Sequence, residues 1–251
     1  MSDRKIRAVL FDLGDTLLNF GKFKTFPLVR RGARASYDYL QSQGQPIGNF
    51  HIYLWRNLVS LRLRRLASSI TRRDFNVLSL FERVGRKRRI SLSPDQWLHF
   101  AWLWYEPLSR LARVEPDTKQ TLSALKDAGL KLGILSNTFV TSDSLDRQLR
   151  QFGLLDLLPV RLYSYQFPFR KPDLRIFDAA CRQMDCPPQN TLFVGDRIDA
   201  DIIPALKMGM HAALKEAYTN AGKTAPDGAS RIRNIAEIPA LVEQINARQN
   251  T

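Results

Sequence analysis

The sequence is poor in the residues that build zinc and histidine metal centres, since it has only two cysteines and three histidines. Cys181 and Cys186 lie close together, with no second pair to complete a zinc site, and are interpreted as reduced, partly buried thiols. The three histidines, His51, His99 and His211, are scattered along the chain. Neither kind of metal centre is therefore expected.

Long apolar runs are missing as well. No stretch approaches the roughly 18–20 residues that a membrane-spanning helix requires. The first apolar stretch, residues 8–11, is too short for a secretory signal, and Asp12 follows it at once. The sequence therefore predicts a protein without a membrane segment, located in the cytoplasm.

Acidic residues are scarce relative to basic ones, and the imbalance is local. The chain has 38 Lys and Arg against 24 Asp and Glu, a formal net charge of +14. Residues 22–110 hold 17 of the basic and 5 of the acidic residues, an excess of 12 positive charges. This shift predicts an inserted module at 22–110 within a domain made of residues 1–21 and 111–251, and so basic a balance indicates an anionic partner.

Hydrophobic residues make up 44% of the chain, which is enough to bury a core. Five short apolar stretches are predicted as strands: residues 8–11, 131–135, 160–163, 191–194 and 211–214. Five amphipathic stretches are predicted as helices: residues 117–128, 144–152, 173–184, 202–208 and 236–247. Residues 221–230, with two glycines and a proline, are predicted as a surface loop. The alternation of strands and helices is typical of an α/β fold with a parallel sheet.

Polar side chains follow three of the predicted strands. Asp12, Ser136 and Asp196 each stand at the carboxyl end of an apolar stretch. In open parallel sheets the ligand binds beyond the carboxyl ends of the strands. We therefore expect these three residues, distant in sequence, to meet in one site.

Four short motifs occur around these positions. They are Phe11-Asp12-Leu13-Gly14-Asp15-Thr16-Leu17, Ile134-Leu135-Ser136-Asn137-Thr138, Arg170-Lys171-Pro172-Asp173 and Val194-Gly195-Asp196-Arg197-Ile198-Asp199-Ala200-Asp201. In this order and spacing they resemble the four motifs of the haloacid-dehalogenase-like hydrolase superfamily. The resemblance covers about residues 7–20 and 115–214 and implies a Rossmann-like core, while the insert matches the helical cap of that superfamily by position alone.

The resemblance implies a magnesium-dependent hydrolase, in the first place a phosphatase of a small phosphorylated metabolite. Asp12 would be the nucleophile and would form an aspartyl-phosphate. A carboxylate that attacks a phosphate dianion needs a cation, and Asp12, Asp196 and the backbone carbonyl of Gly14 would hold Mg²⁺.

The remaining motif residues would act on the substrate and on each other. Ser136 and Asn137 would bind the phosphoryl group, and Lys171 would neutralise charge on Asp12 and on the transferring group. Asp201 would orient Lys171 or a metal-bound water.

Gly14 departs from the pattern, because phosphatases of this superfamily usually carry there a second aspartate that acts as general acid and base. The nearest carboxylate is Asp15, and a shift of one residue changes where a side chain points. Pro168 is a second departure, since relatives often have glycine shortly before the lysine.

Three functions stay open at this point. Asp15, a residue of the cap or water could supply the proton in a phosphatase. The chain could instead attack carbon like the dehalogenase branch, which also lacks the second aspartate, or bind phosphate or another polyanion without turnover. Asp196 and Asp201 favour the phosphatase, because the dehalogenase branch does not use Mg²⁺.

The insert combines basic residues with aromatic ones, among them Trp55, Trp97, Trp102 and Trp104. In one interpretation the aromatics pack the core of the insert and the arginines form a solvated face. In another, some arginines face the active site and bind a polyanionic substrate. Nucleic-acid binding is a third alternative, although the chain has no recognised nucleic-acid module. The sequence does not name the substrate, and a monomer and a homodimer are both open.

Overall fold

Strands alternate with helices along most of the computed structural model, which describes residues 5–248 of the chain. The strands are β1 (Ala8–Phe11), β2 (Lys131–Ser136), β3 (Val160–Tyr163), β4 (Thr191–Gly195), β5 (His211–Lys215) and β6 (Ala229–Ile232). The main helices are α1 (Thr25–Ser42), α2 (Phe50–Thr71), α3 (Val77–Arg86), α4 (Pro94–Ser109), α5 (Thr118–Asp127), α6 (Ser142–Gln151), α7 (Leu174–Gln183), α8 (Ile203–Lys207) and α9 (Ile238–Arg248). Residues 1–4 and 249–251, which the predicted domain includes, lie outside the described residues.

The strands form one parallel sheet in the order β3-β2-β1-β4-β5-β6. This confirms the predicted α/β fold. β1 lies in the middle and all four of its residues are buried, as expected of a central parallel strand covered on both faces. The chain passes from β2 to β3 on one side of β1 and from β4 to β6 on the other, so the switch point of the topology lies at β1.

The five predicted strands are confirmed, each within one residue of its observed end. The prediction of a loop at 221–230 is wrong at its end, because β6 begins at Ala229. Among the residues of β6, only Ile232 is buried. A strand at the edge of a sheet carries little apolar periodicity, and this one forms because β5 pairs with it.

Two hydrophobic clusters cover the two faces of the sheet. Val9 and Phe11 point into one cluster, which contains apolar side chains of α5, α6 and α9. Ala8 and Leu10 point into the other, which α7 and α8 cover. The alternation of side chains along β1 thus places one helical layer on each face. Cys181 and Cys186 are free and buried in the second cluster.

Helices α1 to α4 occupy the long connection between β1 and β2. They pack around a third cluster, to which α1, α2, α3 and α4 all contribute aromatic or aliphatic side chains. Gly85 permits this packing, because a Cβ at that position would overlap the ring of Trp97. Towards the end of α4, Trp102 and Tyr105 belong instead to a cluster of the sheet, so this helix contacts both groups of elements.

The aromatic and basic residues of the insert are sorted by burial. Trp97 and Trp102 are buried, whereas Trp55 on α2 is 55% exposed. The arginines at 62, 64 and 65 are exposed. Most of the basic side chains therefore lie on solvated surfaces. Within residues 5–248, no helix combines the length and apolarity that crossing a membrane demands.

Candidate active site

The register of the sheet brings the first three predicted site residues to one edge. Phe11 is aligned with Ile134 of β2 and with Val194 of β4. Asp12 follows Phe11 directly, and its backbone N–H donates to the carbonyl of Val194 at 2.8 Å. Ser136 and Asp196 thus lie one residue beyond the level of Asp12, on the strands at either side of it. All three side chains are buried.

Lys171 reaches this edge from the loop that connects β3 to α7. Its Nζ lies 2.7 Å from Oδ1 of Asp12 and 2.7 Å from Oδ1 of Asp201. The lysine side chain is only 2% exposed. The second oxygen of Asp201 accepts a hydrogen bond from the backbone N–H of Arg197 at 3.0 Å. Asp201 therefore holds Lys171 against Asp12, and its carboxylate is occupied on both oxygens.

Three buried carboxylates form the centre of the site. Asp12, Asp196 and Asp201 each offer an oxygen within 4.8 Å of the others. Lys171 supplies one positive charge against these three groups, so the ionised cluster carries excess negative charge. Like charges so close together in a buried place repel each other strongly unless a cation joins them. The residues present can therefore hold a metal ion.

The electrostatics of the cluster follow from its burial. Burial raises the pKa of Asp12, the ammonium of Lys171 opposes this, and the charge of Asp196 adds to it. Burial also raises the pKa of Asp196, and it raises the pKa of Asp201 to about 6. For Lys171, burial by itself would lower the pKa, but the carboxylates of Asp12 and Asp201 outweigh it and hold the pKa above its usual value. The lysine is therefore charged.

Asn137 fastens the backbone of Lys171. Its Nδ2 donates to the carbonyl oxygen of Lys171 at 2.8 Å, and its Oδ1 accepts from the N–H of the same residue at 2.9 Å. Asn137, in the loop after β2, thus makes two hydrogen bonds to the loop between β3 and α7, which contains Lys171 and is called the lysine loop below. That Asn137 also binds substrate stays a prediction.

The turn after Asp12 leaves open space at the position of the missing aspartate. A Cβ placed on Gly14 would have no atom within 4 Å apart from those of Gly14 and its two chain neighbours. Asp15 adopts a left-handed backbone conformation, with φ 58°, and its Oδ1 accepts from the N–H of Phe20 at 3.1 Å. Its charge also helps burial to raise the pKa of Tyr218. Asp15 therefore braces the turn that contains Gly14, and an acid or base role for it stays a prediction.

Sequence reasoning missed several polar residues around Asp196. The hydroxyl of Thr16 donates to Oδ1 of Asp196 at 3.4 Å, and the hydroxyl of Thr219 donates to its Oδ2. Asn220 donates through Nδ2 to the backbone carbonyls of Asp196 and Lys215, at 2.8 and 2.7 Å. Thr219 and Asn220 follow β5 within five residues, so the strand-end rule that pointed to Asp12 could have found them too.

A surface cavity lies away from this cluster. A cavity of about 880 Å³ lies at the opposite edge of the sheet, lined by residues next to the amino ends of β1 and β2 such as Arg7 and Lys131. The buried charges, the strand ends and the switch point all coincide at the other edge. We therefore place the candidate active site at Asp12 and not in the cavity.

The chain is similar to known proteins over most of its length. A family model described as haloacid dehalogenase-like hydrolase matches residues 6–209. The chain is 28% identical over 211 residues to a glyceraldehyde 3-phosphate phosphatase of Methanothermobacter thermautotrophicus, covering 83% of this chain and 85% of that protein.

Two solved structures share the fold. One is a HAD phosphatase from Thermococcus onnurineus, with TM-score 0.60 and 23% identity over 94% of this chain and 98% of that one. The other is a 2-haloacid dehalogenase from Pseudomonas syringae pv. Tomato DC3000, with TM-score 0.61 and 24% identity over 96% of this chain and 99% of that one. At these identities the likeness establishes the fold, and the chemistry has to be argued from the residues.

Proposed function

The chain belongs to the haloacid dehalogenase-like hydrolases, and on that premise we propose that it is a Mg²⁺-dependent phosphatase of a small phosphate monoester. The observation that carries this proposal is the buried contact between Asp12 and Lys171, with Asp196 and Asp201 beside it. The similarity to a phosphatase of a three-carbon sugar phosphate supports a small metabolite as the substrate.

The donors present suit Mg²⁺, which prefers a few carboxylates together with other oxygen ligands. Asp12 and Asp196, with the backbone carbonyl of Gly14, are the ligands we propose. Asp201 is the less suitable ligand, because the ammonium of Lys171 and a backbone N–H engage its two oxygens. The donors to Asp196 are hydroxyls, which can rotate away from a bound ion. When bound, the ion supplies positive charge between the carboxylates and the phosphate dianion, and so lowers their repulsion.

The proposed reaction has two displacements at phosphorus. A carboxylate oxygen of Asp12 attacks the phosphorus atom, and the ester P–O bond breaks as the alcohol leaves with a proton from water or from Asp15. Water then attacks the aspartyl-phosphate and gives a proton back to Asp15 or to solvent water. The bond between phosphorus and Asp12 breaks, and phosphate is released with the carboxylate of Asp12 restored. Lys171 and the hydroxyl of Ser136 stabilise the charge of the transferring group.

We propose further that residues 22–110 act as a cap on a core made of residues 1–21 and 111–251. The separate hydrophobic cluster of α1 to α4 supports this division. Whether the insert's arginines bind substrate stays a prediction, as do the cytoplasmic location and the choice between monomer and homodimer.

The experiment that tests the proposed function is phosphate release from a panel of small phosphate esters, with Mg²⁺ or with EDTA. Native protein should turn over at least one ester only with Mg²⁺, and Asp12→Asn should release none, because an amide is a poor nucleophile. Asp146→Asn is the matched control, since Asp146 is a half-buried aspartate that pairs with Arg161 and accepts from the hydroxyl of Tyr163, and neither partner is a proposed site residue. Equal activity in Asp12→Asn and native protein would refute the role of Asp12.

Gly14 favours one other function, a hydrolase that attacks carbon. Such an enzyme needs no acid at position 14, and it would release halide from short 2-haloacids in the presence of EDTA. The three clustered carboxylates argue against it, because without a metal ion the single charge of Lys171 would not offset their repulsion of an anionic substrate. Halide release without metal, together with no phosphate release, would reverse our preference. If the protein releases neither phosphate nor halide but binds a polyanion in a salt-sensitive way, it is a binding protein.

A further inference from the structure

A ring made of hydrogen bonds and backbone links connects the insert to two loops of the candidate site, the loop after β2 and the loop between β3 and α7. Asp74 closes this ring. Asp74 lies in the loop between α2 and α3, and its side chain is only 6% exposed. Its Oδ1 accepts from Nη1 of Arg170 at 2.8 Å, and its Oδ2 accepts from the hydroxyl of Ser164. Arg170 immediately precedes Lys171, so the carboxylate of Asp74 binds the residue next to the lysine that contacts Asp12.

The other half of the ring leads to the loop after β2. The fully buried hydroxyl of Ser164 accepts from the N–H of Thr138 at 2.9 Å. Thr138 follows Asn137, whose amide makes both hydrogen bonds to the backbone of Lys171. The circuit is therefore Asp74, Ser164, Thr138, Asn137, Lys171, Arg170 and Asp74 again. Asp74 is the one member of this circuit that the insert supplies.

Two neighbouring contacts strengthen this link. Phe75 stacks on Phe139, with ring centroids 5.1 Å apart and planes inclined by 9°. Ser68, at the end of α2, donates to Oδ1 of Asp74 at 2.8 Å. A buried carboxylate with three donors has a fixed direction, and a charge-assisted bond to a guanidinium is among the stronger ones. The insert therefore docks on the two site loops at a defined place.

We propose that Asp74 is a positioning residue that couples docking of the insert to the geometry of Lys171 and of the loop after Ser136. With Asp74 in place, the ring holds the lysine loop against the loop after β2. Without its charge, Arg170 and Ser164 lose their shared acceptor, and the two loops are joined only by the Asn137–Lys171 and Thr138–Ser164 hydrogen bonds. This inference rests on the proposed function where it concerns turnover, and on the hydrogen bonds alone where it concerns the loops.

The test compares Asp74→Asn with native protein and with Asp146→Asn, a control that removes a half-buried aspartate–arginine pair outside the ring. Hydrogen exchange at the amides of Thr138 and Lys171 reports on the loops without need of a substrate. We expect exchange at both amides to be about tenfold faster in Asp74→Asn. In the control we expect these two amides to exchange as in native protein.

Turnover is the second readout. We expect kcat of Asp74→Asn to fall by about 10- to 100-fold, because small misplacements of groups in phosphoryl transfer are costly. KM should stay within about twofold of the native value, since the side chain of Asp74 contacts Ser68, Ser164 and Arg170 and not the residues proposed to bind substrate. Arg170→Gln breaks the same link from the other side, and the double variant should lose little more than either single variant.

Each outcome decides the inference. Unchanged exchange at Thr138 and Lys171 would overturn it, and so would a loss of kcat no larger than in the control. If native protein hydrolyses no ester, the proposed function fails, while exchange still decides whether Asp74 holds the loops. Faster exchange with additive effects of Asp74→Asn and Arg170→Gln would also overturn it, because independent effects mean that the two residues do not act as one link.

Discussion

Restoring the missing aspartate at position 14 is the sharpest prediction for the proposed chemistry. Beyond its chain neighbours, a Cβ at Gly14 meets no atom within 4 Å, and the backbone there is outside the left-handed region that only glycine tolerates well. Gly14→Asp should therefore fold like native protein. The new carboxyl group would stand two residues from the nucleophile Asp12, in the place where the resemblance puts a general acid.

The size of the effect depends on the leaving group. A positioned acid contributes about 10²- to 10⁴-fold to the rate, which corresponds to about 3–5 kcal/mol in the barrier. Alkyl phosphates have poor leaving groups and need the proton, so their kcat should rise by about 100-fold or more in Gly14→Asp. 4-Nitrophenyl phosphate has a good leaving group and should gain much less.

The assay is steady-state phosphate release with Mg²⁺ from an alkyl and an aryl ester, for native protein, Gly14→Asp and Gly14→Asn. The asparagine variant has the same shape and cannot exchange a proton in this way, so it controls for filled space. Equal rates for the aspartate and asparagine variants on the alkyl ester would refute the reasoning. That result would mean that native protein already has its proton donor.

Asp15→Asn then identifies that donor. Asp15 is held by the N–H of Phe20 and sits in a left-handed backbone conformation. If Asp15 only braces the turn, the variant should keep most of its stability and its activity on both esters, because an asparagine oxygen also accepts from the N–H of Phe20 and asparagine tolerates the left-handed conformation. A loss confined to the alkyl ester would instead make Asp15 the general acid.

Three further outcomes are expected. Gly195→Ala should lose most activity, because the new Cβ would lie 2.6 Å from the side chain of Asp201 and displace that side chain from Lys171. A kcat equal to the native value would contradict this packing. Lys171→Met should abolish turnover. In EDTA it should also lower the free energy of unfolding by about 3 kcal/mol, since it leaves buried carboxylates without their cation. Denaturant titration measures this loss of stability, and Mg²⁺ should recover part of it. Calorimetric titration should find weaker Mg²⁺ binding at about pH 5 than at about pH 7. Burial raises the pKa values of the proposed ligands Asp12 and Asp196, so protons compete with the ion as the pH falls. The pKa of the neighbouring Asp201 is raised to about 6, so its negative charge is lost over the same range. Equal affinity at both pH values would count against a carboxylate site.

Local patterns in the sequence determined the elements of the core. The five strands were predictable because a buried parallel strand is a short, continuous apolar run, and such a run is visible without knowledge of its neighbours. The edge strand β6 was not, because only Ile232 of its four residues is buried and its pairing with β5 defines it. The polar residue after each run then indicated which edge of the sheet carries chemistry.

The motif residues were identifiable for the same reason. Asp12, Ser136 and Asp196 are positions fixed by the strands that precede them, so their meeting follows from parallel pairing. Gly14 was visible as a departure, but the space around it was not. Whether that space is open depends on atoms from other elements, which a linear pattern does not specify.

Only the tertiary structure decided how the loops meet. Lys171 touches Asp12 and Asp201, and Asn137 brackets its backbone, because the loops after β2 and β3 converge over β1. Asp74 shows the limit most clearly. In the sequence, Asp74 is one aspartate in a region rich in arginine and belongs to no motif. Its place between Arg170 and Ser164 results from how the insert packs on the loops after the strands. Sequence periodicity is a property of neighbours along the chain, whereas a side chain's partner across ~90 residues is set by packing and register.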